Sequence, residues 1–149
     1  MNLKEKLKKD DGSEATNASR YKSLIGCLMY LTATRPDILH AVSMLSRYLS
    51  CASEIHMVAA KRVVRYLKGT QSLGVKFCES DQFNLHGYSD SDWAGSMDDM
   101  KSTSGYCFSL GSACFSWSSK KQDIIAQSTT ETEFVATTTT ANQAICLSQ

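Results

Sequence analysis

No stretch of this 149-residue chain approaches the ~18 consecutive apolar residues of a bilayer-spanning helix, so no membrane partner is expected. The opening residues Met1-Asn2-Leu3-Lys4-Glu5-Lys6-Leu7-Lys8-Lys9 are charged throughout and lack the apolar stretch of a secretory leader. That argues against secretion and favours an intracellular location. Histidine is scarce: His40, His56 and His86 are scattered without metal-ligand spacing, which argues against zinc. The six cysteines contain no Cys-x-x-Cys pair. Most lie in apolar runs such as Leu24-Ile25-Gly26-Cys27-Leu28-Met29, where a reduced thiol acts as a small hydrophobe. A disulfide framework is therefore not expected, and a reducing compartment fits best.

What is present is ordinary globular material, 42% hydrophobic and 21% charged, enough to form a core. The net charge of +1 conceals an asymmetry: residues 1–70 carry 12 basic against 6 acidic side chains, and residues 71–149 carry 4 against 9. A basic half favours a polyanion and an acidic half can hold a divalent cation, though solvated faces that bind nothing show the same patterns.

Three segments follow from the patterning. Residues 1–18 are polar, with Asp10-Asp11-Gly12-Ser13 as a turn signal, and are expected to form a poorly ordered lead-in. Residues 19–70 read as three helices. The first has Ser19 as its cap and Leu24, Ile25, Leu28 and Leu31 as its stripe. The second opens on Pro36 and carries Ile38, Val42, Leu45 and Leu49 on one face. The third follows Ser53, with Ile55, Ala59, Val63 and Tyr66 as its stripe, Lys68 in its last turn and Gly69 just past its end.

Residues 71–149 switch to strand patterns: Leu73–Cys78, Asn84–Asp90, and a hairpin of Gly105–Leu110 and Ala113–Trp117 across Gly111-Ser112. A last helix begins at Thr129 or Thr130 with Glu131 and Glu133 near its start, and Thr137-Thr138-Thr139-Thr140 should weaken it. Tyr88, Trp93, Tyr106 and Trp117 are assigned to packing, the commoner role of aromatics in strands.

Longer motifs then carry a resemblance. Tyr21-Lys22-Ser23-Leu24-Ile25-Gly26-Cys27-Leu28-Met29-Tyr30-Leu31-Thr32, Thr34-Arg35-Pro36-Asp37-Ile38 and Ala60-Lys61-Arg62-Val63-Val64-Arg65-Tyr66-Leu67-Lys68-Gly69-Thr70 resemble the end of the reverse transcriptase in copia-type long-terminal-repeat retrotransposon Pol polyproteins. Gly87-Tyr88-Ser89-Asp90-Ser91-Asp92-Trp93-Ala94-Gly95, Lys101-Ser102-Thr103-Ser104-Gly105-Tyr106, Ser116-Trp117-Ser118-Ser119-Lys120-Lys121-Gln122 and Ser128-Thr129-Thr130-Glu131-Thr132-Glu133-Phe134 resemble that family's ribonuclease H, in the expected order. The resemblance implies an α+β chain: a small helical, thumb-like segment followed by an incomplete ribonuclease H-like fold of a three-stranded antiparallel sheet plus one helix.

Ribonuclease H cleaves the RNA strand of an RNA–DNA hybrid with two divalent metals ~4 Å apart, held by several converging carboxylates. The resemblance places Asp90 as the first-strand carboxylate and Glu133 as the first-helix carboxylate, both catalytic and both ligands for Mg2+. Asp92 competes with Asp90, because alternate strand residues share a face and spacing does not separate them; the motif favours Asp90. The sequence ends near the first helix of that domain, so the third and fourth carboxylates are expected to be missing, with weak or absent metal binding and no useful hydrolysis by this polypeptide alone. Strand one would then present an open edge that invites self-association. The polymerase carboxylates would lie upstream, so no polymerisation is expected.

Lys61, Arg65 and Lys68 recur at helical spacing with Arg62 adjacent, a stripe that could lie along phosphates of an RNA–DNA hybrid or another nucleic acid, or simply face solvent. Alternatives are a non-catalytic nucleic-acid-binding or assembly module that uses this stripe, and a secreted RxLR-type effector-like protein, whose motif Arg65-Tyr66-Leu67-Lys68 only approximates.

Overall fold

In the computed structural model, which describes residues 7–78 and 84–148, Asn17 rather than Ser19 caps the first helix. Its side chain accepts the Arg20 N–H at 3.0 Å, satisfying one of the orphan donors of α1 (Ala18–Leu31). The buried face also differs from the anticipated stripe. Tyr21, Ile25 and Leu28 are buried, whereas Leu24 is only partly covered and Leu31 is exposed. Tyr21 can occupy the core because its hydroxyl donates to the Leu45 carbonyl at 2.9 Å.

Pro36 opens a 3₁₀ turn, Pro36–Ile38, that leads into α2 (Leu39–Ser46). Ile38, Val42 and Leu45 are buried on the anticipated face. Ser53 caps α3 (Glu54–Gly69), whose buried residues are His56, Met57, Ala59, Ala60 and Val63. The stripe expected through Ile55 and Tyr66 is therefore displaced, and both of those side chains are exposed. The cause is His56: its Nδ1 accepts the Ser53 N–H at 3.1 Å, and its ring stacks on Tyr48 at 4.1 Å. An imidazole bonded through Nδ1 and stacked on Tyr48 takes this core place in preference to its neighbour Ile55.

Arg35 joins the start of the 3₁₀ turn to the end of α3. Its guanidinium pairs with Asp37 at 2.7 Å and donates to the Thr70 carbonyl at 3.1 Å. Residues 7–17 are held to the helices rather than loose. Leu7 is buried, the Tyr48 hydroxyl donates to its carbonyl at 3.0 Å, the Thr16 N–H donates to Ala52 O at 3.1 Å, and the Glu54 N–H donates to Glu14 O at 2.9 Å. Residues 1–6 of the anticipated lead-in lie outside the described residues. All of this belongs to a unit spanning 1–74.

The second unit, 75–149, is a three-stranded antiparallel sheet in the order β1 (Leu85–Ser91), β2 (Thr103–Leu110), β3 (Ala113–Lys121), with α4 (Thr129–Leu147) against it. The chain is thus α+β, consistent with a partial ribonuclease H-like fold. The strand anticipated over 73–78 does not form: Leu73 and Phe77 are exposed and gain no cross-strand partner.

Gly111 takes φ +59° in the β2–β3 turn, a conformation that suits glycine, and a register shift between Phe108 and Ser109 leaves Phe115 as the extra residue on β3. α4 runs straight through the four threonines. The hydroxyls of Thr138, Thr139 and Thr140 donate to the carbonyls of Phe134, Val135 and Ala136 at 2.8–2.9 Å, so these polar groups are satisfied on the helix itself.

The two units differ sharply in how much apolar surface they bury. The core cluster of thirteen buried side chains lies wholly in the helical unit. Among the described residues of the sheet unit the buried apolar side chains are Phe108, Ala126 and Ala136, while Leu85, Tyr88, Trp93, Phe115, Phe134 and Ile145 are exposed. Tyr88 and Trp93 therefore do not serve as core, contrary to their assignment from sequence. Among the described residues no helix is long and apolar enough to cross a membrane.

Candidate functional site

The end of β1 and the first turn of α4 meet at one contact. Ser91, the last residue of β1, donates from Oγ to Thr132 Oγ1 at 3.4 Å, and Thr132 is buried beneath the helix. Asp90 precedes Ser91 and Glu133 follows Thr132, so the contact brings the two candidate carboxylate positions to the same end of the unit. Both are exposed. Asp90 Oδ1 accepts only the adjacent Ser91 N–H, at 2.9 Å, and among the described residues Glu133 makes no hydrogen bond or ion pair.

Their neighbours are engaged elsewhere. Asp92 has left the strand: its N–H donates to Thr103 O at 3.0 Å, and its carboxylate accepts the Thr103 N–H. The same carboxylate fills the space where a Cβ on Gly95 would stand. The loop 92–102 is closed further by Ser102 Oγ, which accepts the Ala94 N–H at 3.1 Å. Asp92 is thus committed to the loop, an allocation that strand periodicity does not reveal.

Glu131 is committed likewise. Ser128 Oγ accepts the Glu131 N–H at 3.2 Å while Glu131 Oε2 accepts the Gln127 N–H at 2.7 Å, so both act at the helix start. The Ser-x-x-Glu spacing of residues 128–131 announces such a cap and would have placed it at Ser128 rather than Thr129 or Thr130. Ser91, Thr132, Ser102 and Gln122 were missed as supports of the site. Gln122 is buried and donates through Nε2 to Ser104 Oγ at 2.6 Å and Thr132 O at 3.0 Å, which anchors α4 to the sheet.

The remaining acids stay apart. Asp99 pairs with Lys121; burial raises its pKa, but that is outweighed chiefly by the hydrogen bond from Lys121, which holds the carboxyl at about 2. Among the described residues no three histidine, cysteine or carboxylate side chains converge as a metal site. Asp90 and Glu133 could each offer oxygens to a hard cation, but a pair of exposed carboxylates does not fit a two-metal cage.

On α3, Lys61, Arg65 and Lys68 are exposed, and none is in an ion pair among the described residues. Arg62 beside them is half-buried. The tetrapeptide Arg65-Tyr66-Leu67-Lys68 lies within the closing turns of this helix.

Fold and site together define a two-unit α+β protein with a basic helix face in one unit and two unshielded carboxylates at a strand–helix junction in the other. The chain belongs to the family of retrovirus-related Pol polyproteins of copia-type transposons. It is 44% identical over 143 residues, 95% of its length, to the Pol polyprotein from transposon RE1 of Arabidopsis thaliana, and 43% identical over an equal share to that from transposon RE2 of the same plant. It spans about a tenth of each of those relatives. It is also 45% identical over 128 residues to secreted RxLR effector protein 161 of Plasmopara viticola, covering 85% of this chain and 90% of that protein. No protein-family profile matches the chain, and no solved structure does.

Proposed function

We propose that the second unit is part of a copia-type ribonuclease H acting on RNA–DNA hybrids, that Asp90 and Glu133 are two of its metal-binding carboxylates, and that this polypeptide does not cleave hybrids alone. The observation that carries the reading is the Ser91–Thr132 contact, which joins the end of the strand bearing Asp90 to the first turn of the helix bearing Glu133, while Asp92 and Glu131 are used structurally. The thin core supports the second half: a sheet whose buried apolar side chains, among the described residues, are Phe108, Ala126 and Ala136 calls for further covering.

Mg2+ prefers near-octahedral oxygen coordination, and two carboxylates leave most positions to water, so weak or absent metal binding is expected. The exposed Lys61, Arg65 and Lys68 would contact nucleic-acid phosphates without reading sequence, with Arg62 at their margin.

The test is a labelled RNA–DNA hybrid with magnesium or manganese. The polypeptide should give no metal-dependent cleavage. Fused to the following segment of a copia-type Pol, it should gain cleavage that Asp90→Asn and Glu133→Gln each abolish. Cleavage by the unfused chain that Asp90→Asn removes would overturn the claim of inactivity, and a folded fusion indifferent to both substitutions would overturn the site.

A second reading, a secreted effector, is favoured by the relative of that name and by Arg65-Tyr66-Leu67-Lys68. A reporter fusion retained inside expressing cells, with the tetrapeptide intact, counts against it.

A further inference from the structure

Cys107 on β2 and Cys114 on β3 hold their Sγ atoms 2.7 Å apart, and both are free thiols. The bulge explains the approach. Cys107 is paired with Trp117 and Cys114 with Ser109, but the register shift that skips Phe115 draws Cys114 along the strand toward Cys107. The S···S separation is within about 0.7 Å of the ~2.05 Å disulfide bond, so little movement would join them. Access is open as well. Both cysteines are only half-buried, and Cys107 stands opposite Tyr88, which is 64% exposed.

We propose that Cys107 and Cys114 are a site of reversible oxidation, closing an intramolecular disulfide across the β2–β3 hairpin when a low-molecular-weight disulfide such as oxidised glutathione, or hydrogen peroxide, is present. The inference does not depend on the ribonuclease H assignment. With oxidised glutathione, one cysteine sulfur attacks the glutathione S–S bond and releases one glutathione thiol. The second cysteine then attacks the mixed disulfide, loses its proton and releases the other. With peroxide, the first sulfur takes one oxygen as a sulfenic acid and one water leaves; attack by the second thiol forms the S–S bond and expels another.

Burial, reinforced by the hydrogen bond with Cys114, pushes the Cys107 thiol up to about 11 and keeps it protonated at neutral pH. Either sulfur can begin the exchange as its thiolate, the other then resolving the mixed disulfide.

The experiment uses the reduced full chain in a glutathione redox buffer, followed by alkylation and mass spectrometry. Both cysteines fall in the tryptic peptide 102–120. That peptide should lose two hydrogens and both alkylation equivalents, while the peptides bearing Cys27, Cys51, Cys78 and Cys146 remain alkylated. The selectivity should vanish in urea, which ties it to the folded hairpin. Cys107→Ser and Cys114→Ser should each trap glutathione on the cysteine that remains. Full alkylation of peptide 102–120 in the folded chain, or glutathione retained on both cysteines, would overturn the proposal.

Discussion

Gly87 lies directly under the ring of Phe108: a Cβ built on Gly87 would stand 2.6 Å from the Phe108 Cε1. Phe108 is the largest fully buried side chain of the sheet unit, and Gly87 is its partner across β1 and β2. Gly87→Ala should therefore force the ring aside and destabilise this unit by ~1–3 kcal/mol, the usual scale of overpacking. Phe108→Ala should cost ~3–5 kcal/mol, and in that background the Gly87→Ala penalty should largely vanish. Urea unfolding followed by Trp93 and Trp117 fluorescence measures all three, and an undiminished penalty in the double variant would show that the ring is not the cause.

Asp90 and Asp92 should separate cleanly by stability. Asp92→Ala removes the acceptor of the buried Thr103 N–H and should cost ~1–3 kcal/mol, whereas the exposed Asp90→Asn should fall within ~0.5 kcal/mol of the parent. The same fluorescence-detected unfolding decides it. Equal losses at both positions would mean that Asp90 also carries structure.

Much of the fold was legible because local signals agreed with one another. Pro36, Ser53 and Gly111 each stand where helix and turn chemistry demands, and the hairpin and α3 follow from them. The helix faces were less legible, since Tyr21 and His56 count as polar in a hydropathy stripe. Each reaches the core through a partner distant in sequence or a ring stack: Leu45 O for Tyr21, Tyr48 for His56. The exposure of Tyr88 and Trp93 was hidden for a related reason, because strand aromatics are core only when a second layer covers them. At the site, the spacing of Asp90 and Asp92 left their roles open. What distinguishes them in the structure is a hydrogen bond to Thr103, eleven residues away, which no local pattern encodes.

Asp11 gives the helical unit an acid-sensitive tether. Hydrogen bonds from Ser13 and then Ser53 hold its carboxyl at about 2, below the ordinary 3.8. As pH falls, the unfolded chain takes up the proton first, so the stabilisation is complete above ~4 and is lost between ~4 and ~2. NMR-detected urea unfolding at the Tyr21 and Tyr48 rings should show the midpoint dropping across that window. Asp11→Asn should lower the midpoint at neutral pH and flatten the drop; an unchanged slope would place the sensitivity elsewhere.

The basic face of α3 should bind nucleic acid in a salt-dependent way. Removing one phosphate-binding side chain reduces the slope of log K against log salt by about 1, so Lys61→Ala, Arg65→Ala and Lys68→Ala together should lower it by about 3. Fluorescence anisotropy with an RNA–DNA hybrid at several salt concentrations measures the slope. A triple variant that binds like the parent would leave this face a solvated one.

The free edge of β1 should pair with a second copy. Its sequence is self-complementary in antiparallel register: with Tyr88 opposite Tyr88, His86 of each copy faces Asp90 of the other, and these exposed side chains share one face of the strand. β1 is paired on one side by β2, and among the described residues its other side has no strand. Sedimentation equilibrium should show dimers at high concentration, and Tyr88→Lys should dissociate them by setting two like charges face to face at the centre. A parent chain that stays monomeric at high concentration would show that the edge does not recruit a copy of itself.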